Sequence, residues 1–235
     1  MPRHPRVSPD GYAQHVLNRG DHRETLFFKS GDFRAFLRLV ADAQRRVGMR
    51  ILGYCIMRNH FHLVVWPHAG EDLPVFMQLL MNLHINHYLR HYRPASPGHI
   101  YQGRYTNAIV QADHHLLRVL RYVEANARSA GLVRRAEDYM WSSASPHARD
   151  PGRPELSDGP VPKPADWLTY VNARQTAKET SAIRESASRG APYGAPKWVT
   201  RIADRFDLTH TLRKPGRPTG CAPEPIVSAT DPVVQ

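Results

Sequence analysis

Arg50-Ile51-Leu52-Gly53-Tyr54-Cys55-Ile56-Met57-Arg58-Asn59-His60-Phe61-His62-Leu63-Val64-Val65-Trp66 contains two apolar runs with a short polar joint between them. Residues 50–57 and 61–66 have the length and the aromatic and β-branched content of strands, and Arg58-Asn59-His60 is a joint tight enough to fold one back on the other. The pattern changes period on either side. Upstream, residues 32–47 place Phe33, Phe36, Leu37, Val40 and Ala43 on one helical stripe that Gly48 ends, and residues 13–18 read as a strand. Downstream come a helix over 73–92 with Pro74 in its first turn and a strand over 105–111. Next is a helix capped by Asp113 that runs to Ala130 and stops at Gly131. The order β-α-β-β-α-β-α suits an antiparallel sheet with helices packed on it, a ferredoxin-like α+β domain.

Proline marks a change after this domain. Thirteen of the 20 prolines lie at or after Pro146. Residues 1–145 are expected to form the core domain. Residues 146–165 should be a linker, too rich in Pro, Gly and charge to bury anything. A helical extension is expected over 166–218, with one helix at 166–188 and a second at 197–206 carrying Trp198, Val199, Ile202 and Phe206. The tail, 219–235, should be disordered.

The chain of 235 residues has 32 Lys and Arg against 21 Asp and Glu, a formal net charge of +11, with 14 histidines besides. That excess points to a polyanion as partner, most often nucleic acid. Mean hydropathy is −0.51, and no apolar run of about 18 residues is present, which excludes a membrane-spanning helix. The N-terminus has basic residues with no apolar stretch behind them, unlike a secretory signal. Cys55 and Cys221 make neither a disulfide framework nor a four-ligand zinc site, so a reducing cytoplasm is expected.

Two constellations suggest chemistry. In a strand, His60 and His62 fall on one face, with Phe61, Leu63 and Val65 on the other. Two imidazoles side by side form a divalent-metal clamp that needs a third ligand. With 14 histidines such a pair also arises by chance, so two polar residues at a strand end is an equally open reading. On the 113–130 helix, Leu116, Val119, Leu120, Val123, Ala127 and Ala130 form the sheet-facing stripe. Tyr122 lies about 120° from it by helical periodicity, in a polar row with Arg118 and Asn126. Alone, Tyr122 reads as a surface residue. Combined with a metal at His60 and His62, a phenol there could attack a phosphodiester, with the Asn126 amide as a further hard ligand.

Several stretches then match one family in order. They are His15-Val16-Leu17-Asn18-Arg19-Gly20, the run from Gly53 to Val65, and Gly98-His99-Ile100-Tyr101-Gln102-Gly103-Arg104-Tyr105. Arg121-Tyr122-Val123-Glu124-Ala125-Asn126-Ala127-Arg128-Ser129-Ala130-Gly131-Leu132-Val133 and Glu137-Asp138-Tyr139-Met140-Trp141-Ser142-Ser143 follow. Over residues 10 to 145 the chain resembles the HUH single-strand transposases, specifically the REP-associated tyrosine transposases of bacteria. The resemblance implies Mg²⁺- or Mn²⁺-dependent cutting and joining of single-stranded DNA at hairpin-forming palindromic repeats, beside a short guide sequence. It implies His60, His62 and Asn126 as metal ligands and Tyr122 as the nucleophile that forms a 5′-phosphotyrosine. Two motifs depart from the family's usual form: Met57-Arg58-Asn59-His60 has Arg where Pro is usual, and Asn126-Ala127-Arg128-Ser129 replaces Asn-Pro-Val-Arg. Neither removes a ligand or the nucleophile. A bacterial, nucleoid-associated protein, monomer or homodimer, is what this reading expects.

Arg19, Arg58, Arg104 and Arg118 are the candidate phosphate contacts in the core, each also readable as a solvated charge. Lys214 and Arg217 lie in Arg213-Lys214-Pro215-Gly216-Arg217-Pro218, which is similar to an AT-hook but reads equally as a basic tail. His84, His87 and His91 share a stripe with Phe76 and Leu80 and are expected as partly buried histidines under the sheet rather than a metal set. His114 and His115 open the tyrosine helix. Two other functions compete: a catalytically retired hairpin-DNA-binding regulator, and a hydrolase in which a metal activates water and Tyr122 is structural.

Overall fold

The computed structural model of the chain describes residues 6–68, 72–92 and 98–213. A four-stranded antiparallel sheet in the order β2-β3-β1-β4 forms its centre. The strands are β1 (Ala13–Arg19), β2 (Arg50–Met57), β3 (His60–Trp66) and β4 (Thr106–Val110). Met57 pairs with His60, so the hairpin joint is Arg58 and Asn59 alone and His60 opens β3. This is the expected ferredoxin-like α+β arrangement.

Helices α1 (Ser30–Val47) and α2 (Asp72–Tyr92) cover one face. There Phe36, Leu37 and Val40 meet Phe61, Leu63, Val65, Phe76 and Leu80 in a fully buried cluster, each such side chain stabilising by roughly 1.5–3 kcal/mol. Gly48, at φ 75°, ends α1 in the left-handed conformation. On the other face α3 (His114–Glu124) sets Leu116, Val119, Leu120 and Val123 against Cys55 and Val64. Cys55 is a free, buried thiol pushed up to about 12 by burial.

The helix expected over 113–130 breaks. It stops at Glu124, passes through Ala125 at φ −84° and ψ 3°, and resumes as the single turn α4 (Asn126–Ser129). A buried contact lies at the break. The Glu124 carboxylate is drawn inward to the Ser143 hydroxyl, 2.8 Å away. Gly53 in β2 makes room for it, since a Cβ there would meet Leu120 Cδ2 at 2.9 Å and Ser143 Oγ at 3.2 Å. The helix expected over 166–188 is also two, α5 (Trp167–Asn172) and α6 (Ala177–Arg189). Thr176 and Glu179 form a capping box that starts the second one afresh.

The stretch 146–165, expected to bury nothing, is packed along the sheet. The Ser157 N–H donates to Ile51 O at 2.8 Å, and Leu156 bridges to Ile51. The Gln44 side chain donates to Glu155 O and accepts from Glu155 N–H, both at 2.8 Å. The reason is that β2 is an edge strand, whose outward backbone groups need partners. The opposite edge is closed likewise: the Tyr193 N–H donates to Ile109 O at 2.8 Å, and the Gln111 N–H to Tyr193 O at 2.9 Å. Beyond it, α7 (Pro196–Arg205) and α8 (Thr209–Leu212) follow, and Ile202, Ala203 and Leu208 cover Ile109. Chain after residue 145 therefore completes both edges of the sheet.

His84 is buried as expected, its Nδ1 2.6 Å from the Tyr101 hydroxyl, but His87 and His91 are exposed near the end of α2. Lys214, Arg217, Cys221 and the tail 219–235 lie outside the described residues. Among the described residues no helix is long and apolar enough to cross a membrane.

Candidate active site

Strand β3 carries His60 and His62 on the face that α3 covers, and the helix break carries Asn126 to the same place. The Asn126 amide nitrogen lies 3.5 Å from His62 Nε2, and its side chain also reaches His60. The ring centroids of His60 and His62 are 5.1 Å apart at 88°. The Tyr122 ring stands edge-on to His62, 5.7 Å away at 86°. Residues separated by some sixty positions of sequence thus converge, so the structure brings together all four residues singled out for chemistry. Tyr122 is not the surface residue that its helical angle suggests. It is 8% exposed, in one cluster with Met57, Val64 and Ile183 of α6.

A fifth residue went unnoticed among the candidates. His15 of β1 lies on the same face, its Nε2 2.9 Å from His62 Nδ1. Its ring stacks on His62 at 5.1 Å and 24° and meets Tyr122 edge-on at 6.0 Å. The signal available was its alternation with Val16, whose side chain enters the opposite core.

Burial depresses the basicity of all three imidazoles. His15 falls to about 4 through burial. His60 falls to about 4 through burial and the Arg19 charge. His62 falls well below its usual range through burial, then its two histidine neighbours, then Arg19 and Arg184. All three are neutral at pH 7, the form in which imidazole offers a lone pair to a metal. Two neutral imidazoles and an amide are a donor set that fits a divalent first-row cation once the amide turns its oxygen inward.

The arginines differ in their surroundings. Arg19 is opposite His60 in the β1–β3 register, and Arg104 is exposed. Both line a groove of about 600 Å³ at the β4 side, shared with Arg6 and Arg189. Arg58 is exposed at the hairpin tip. Arg118 instead pairs through Nε with Glu179 Oε1 at 3.3 Å. On the other flank of Asn126, a groove of about 460 Å³ is lined by Arg128, Arg134 and Arg174. Asp113, His114 and His115 also cluster, with ligand atoms within 4.8 Å of one another. That group is accounted for by capping, since Asp113 Oδ1 accepts from both the backbone N–H and Nδ1 of His115 at 2.7 Å.

The antiparallel sheet thus carries an imidazole pair on its inner strand β3 and a tyrosine on the covering helix α3. Residues 10–126 match the family described as "Transposase IS200 like". The chain belongs, through that segment, to the IS200-like transposases. Among solved structures it is similar to a REP-associated tyrosine transposase bound to a REP hairpin, at a TM-score of 0.50 and 14% identity, over 61% of this chain and 82% of that one. No curated protein matches the chain.

Proposed function

We propose that this protein is a metal-dependent single-stranded DNA endonuclease and strand transferase that acts on hairpin-forming repeats through a 5′-phosphotyrosine. The observation that carries this reading is the convergence of His60, His62, Asn126 and Tyr122 in one largely buried site. Family membership supports a DNA-joining chemistry, and the hairpin in the solved relative supports a folded single strand as substrate.

His60, His62 and Asn126 would hold Mn²⁺ or Mg²⁺, and the two imidazoles favour Mn²⁺. A bound divalent cation supplies charge neutralisation on a non-bridging phosphate oxygen. Tyr122 gives up its phenolic proton and its oxygen forms a bond to phosphorus. The bond from phosphorus to the 3′-oxygen breaks, and that oxygen takes a proton to leave as a 3′-OH. The tyrosyl ester keeps a phosphodiester bond in place of the one broken, so an incoming 3′-OH reverses the step. Arg19 and Arg104, with Arg58, would hold backbone phosphates beside the site. The segment after residue 166 would take part in the grasp, because its Arg174 and Arg189 line the two grooves.

The test is incubation with labelled hairpin oligonucleotides drawn from repeats near the gene, with Mn²⁺ or with EDTA, and a denaturing protein gel. A labelled band at 26.7 kDa plus the oligonucleotide, absent with EDTA and in Tyr122→Phe, is expected. Cleavage by Tyr122→Phe that yields a free 5′-phosphate would point to water as the nucleophile. Binding without any adduct would make the protein a hairpin-binding regulator.

A further inference from the structure

We propose that His15 is a positioning residue that fixes the tautomer of His62, holding the His62 proton on Nδ1 and leaving Nε2 as an open lone pair. This rests on the reading of His60, His62 and Asn126 as metal ligands.

The contact between His15 Nε2 and His62 Nδ1, at 2.9 Å, has room for one hydrogen. Either His15 donates, which puts the His62 proton on Nε2, or His62 donates from Nδ1 into His15. The other end of the ring decides between them. The Asn126 amide nitrogen faces His62 Nε2 at 3.5 Å. On the reading of His62 as a ligand, Nε2 offers its lone pair to the metal, and a neutral imidazole with a free Nε2 carries its proton on the other nitrogen. The His62 proton therefore sits on Nδ1, and His15 Nε2 accepts it.

Metal-binding histidines commonly donate their second ring nitrogen to a carboxylate or a carbonyl. Here the acceptor is another imidazole, 2% exposed, stacked so that it fixes the plane of the His62 ring as well. A neutral acceptor orients His62 without adding negative charge, which leaves the site more attractive to a polyanionic substrate than a carboxylate would. Replacing His15 by Phe keeps the stacking and removes the acceptor. A buried Nδ1–H without a partner is costly, so the proton moves to Nε2, where Asn126 can turn its oxygen to accept it. The metal-facing lone pair is then lost. His15→Gln supplies an amide oxygen as a replacement acceptor.

The experiment uses ¹⁵N-histidine-labelled full-length protein without metal at pH 7.5. Long-range ¹H–¹⁵N correlation gives the tautomer of His62, assigned by loss of its signals in His62→Gln. The wild type should show the Nδ1–H form, His15→Phe the Nε2–H form, and His15→Gln the Nδ1–H form again. Mn²⁺ binding, followed by electron paramagnetic resonance, should weaken by about 10–100-fold in His15→Phe and recover in His15→Gln. A wild-type His62 with its proton on Nε2 overturns the proposal, and that spectrum decides even if a variant fails to fold. Unchanged Mn²⁺ affinity in a folded His15→Phe overturns it too. If the wild type shows the Nδ1–H form but binds no Mn²⁺, the metal reading fails and the tautomer assignment holds.

Discussion

Trp167 Nε1 donates a 2.6 Å hydrogen bond to Glu124 Oε2. Glu124 is the last residue of the tyrosine helix, and Trp167 opens the first helix of the extension. The same carboxylate, fully buried, also accepts from Ser143 Oγ and from Lys163 Nζ at 3.2 Å. Its four neighbours in the chain include both Tyr122 and Asn126, so the chain after residue 145 helps to fix the two residues proposed for chemistry.

Removing a partner from a buried carboxylate leaves it short of a hydrogen bond, at a cost of about 1–3 kcal/mol. Trp167→Phe should lose stability in that range in chemical denaturation, with little change in the slope. A fragment ending at residue 145 loses Lys163, Trp167, the 155–157 cover of β2 and the Tyr193 cover of β4 at once. It should unfold without a cooperative transition. A fragment as stable as the full chain would refute this account of the edges.

The pH dependence of stability follows from the buried histidines. Burial pushes His84 down to about 3, and the Tyr101 hydroxyl, raised by burial, stays protonated and can donate to its Nδ1. The folded state keeps His84 neutral while the unfolded chain takes up a proton near pH 6.5. Its contribution is therefore complete above pH 6.5 and is lost as pH falls toward 3. Each such group makes stability fall by about 1.4 kcal/mol per pH unit in its window. In EDTA between pH 6 and 4.5, His84→Gln should show a shallower decline by about that slope. An unchanged slope would mean that His84 titrates normally.

The hairpin at 50–66 and the alternating elements around it were legible because strand and helix periods are local. So were the His60 and His62 face and the cap at Asp113, which follow from spacing alone. What escaped depends on contacts between distant residues. Nothing in the composition of 146–164 shows that Ser157 meets the backbone of Ile51, since a β-bridge uses groups that every residue carries. The contact between Glu124 and Ser143 at the Ala125 break joins residues 19 positions apart, and His15 matters only because β1 lies beside β3. The capping box at Thr176 and Glu179 is the exception. Its spacing was readable, and it marks where one expected helix becomes two.

Ligand chemistry at Asn126 yields a graded prediction. Asn126→Ala removes one donor and should weaken Mn²⁺ binding, and adduct formation should need correspondingly more metal. Asn126→Asp replaces a neutral oxygen by a charged one, which suits hard cations. It should raise Mg²⁺ affinity more than Mn²⁺ affinity, as measured by calorimetry on each metal alone. Equal metal binding in the wild type and both variants would remove Asn126 from the ligand set.

Salt dependence separates the arginines. A phosphate contact releases counterions, and each lost contact lowers the slope of log affinity against log salt by about 0.7–0.9. Arg104 is exposed in its groove, so Arg104→Ala should weaken hairpin binding and flatten that slope by about one such step. Arg118 is held by Glu179. Arg118→Ala should leave the slope unchanged and cost at most about 1 kcal/mol of stability, the range for a partly exposed pair. Binding by fluorescence anisotropy from 50 to 300 mM salt measures both. A flattened slope in Arg118→Ala, with Arg104→Ala unaffected, would place the DNA on the α6 side of the molecule and away from the β4 groove.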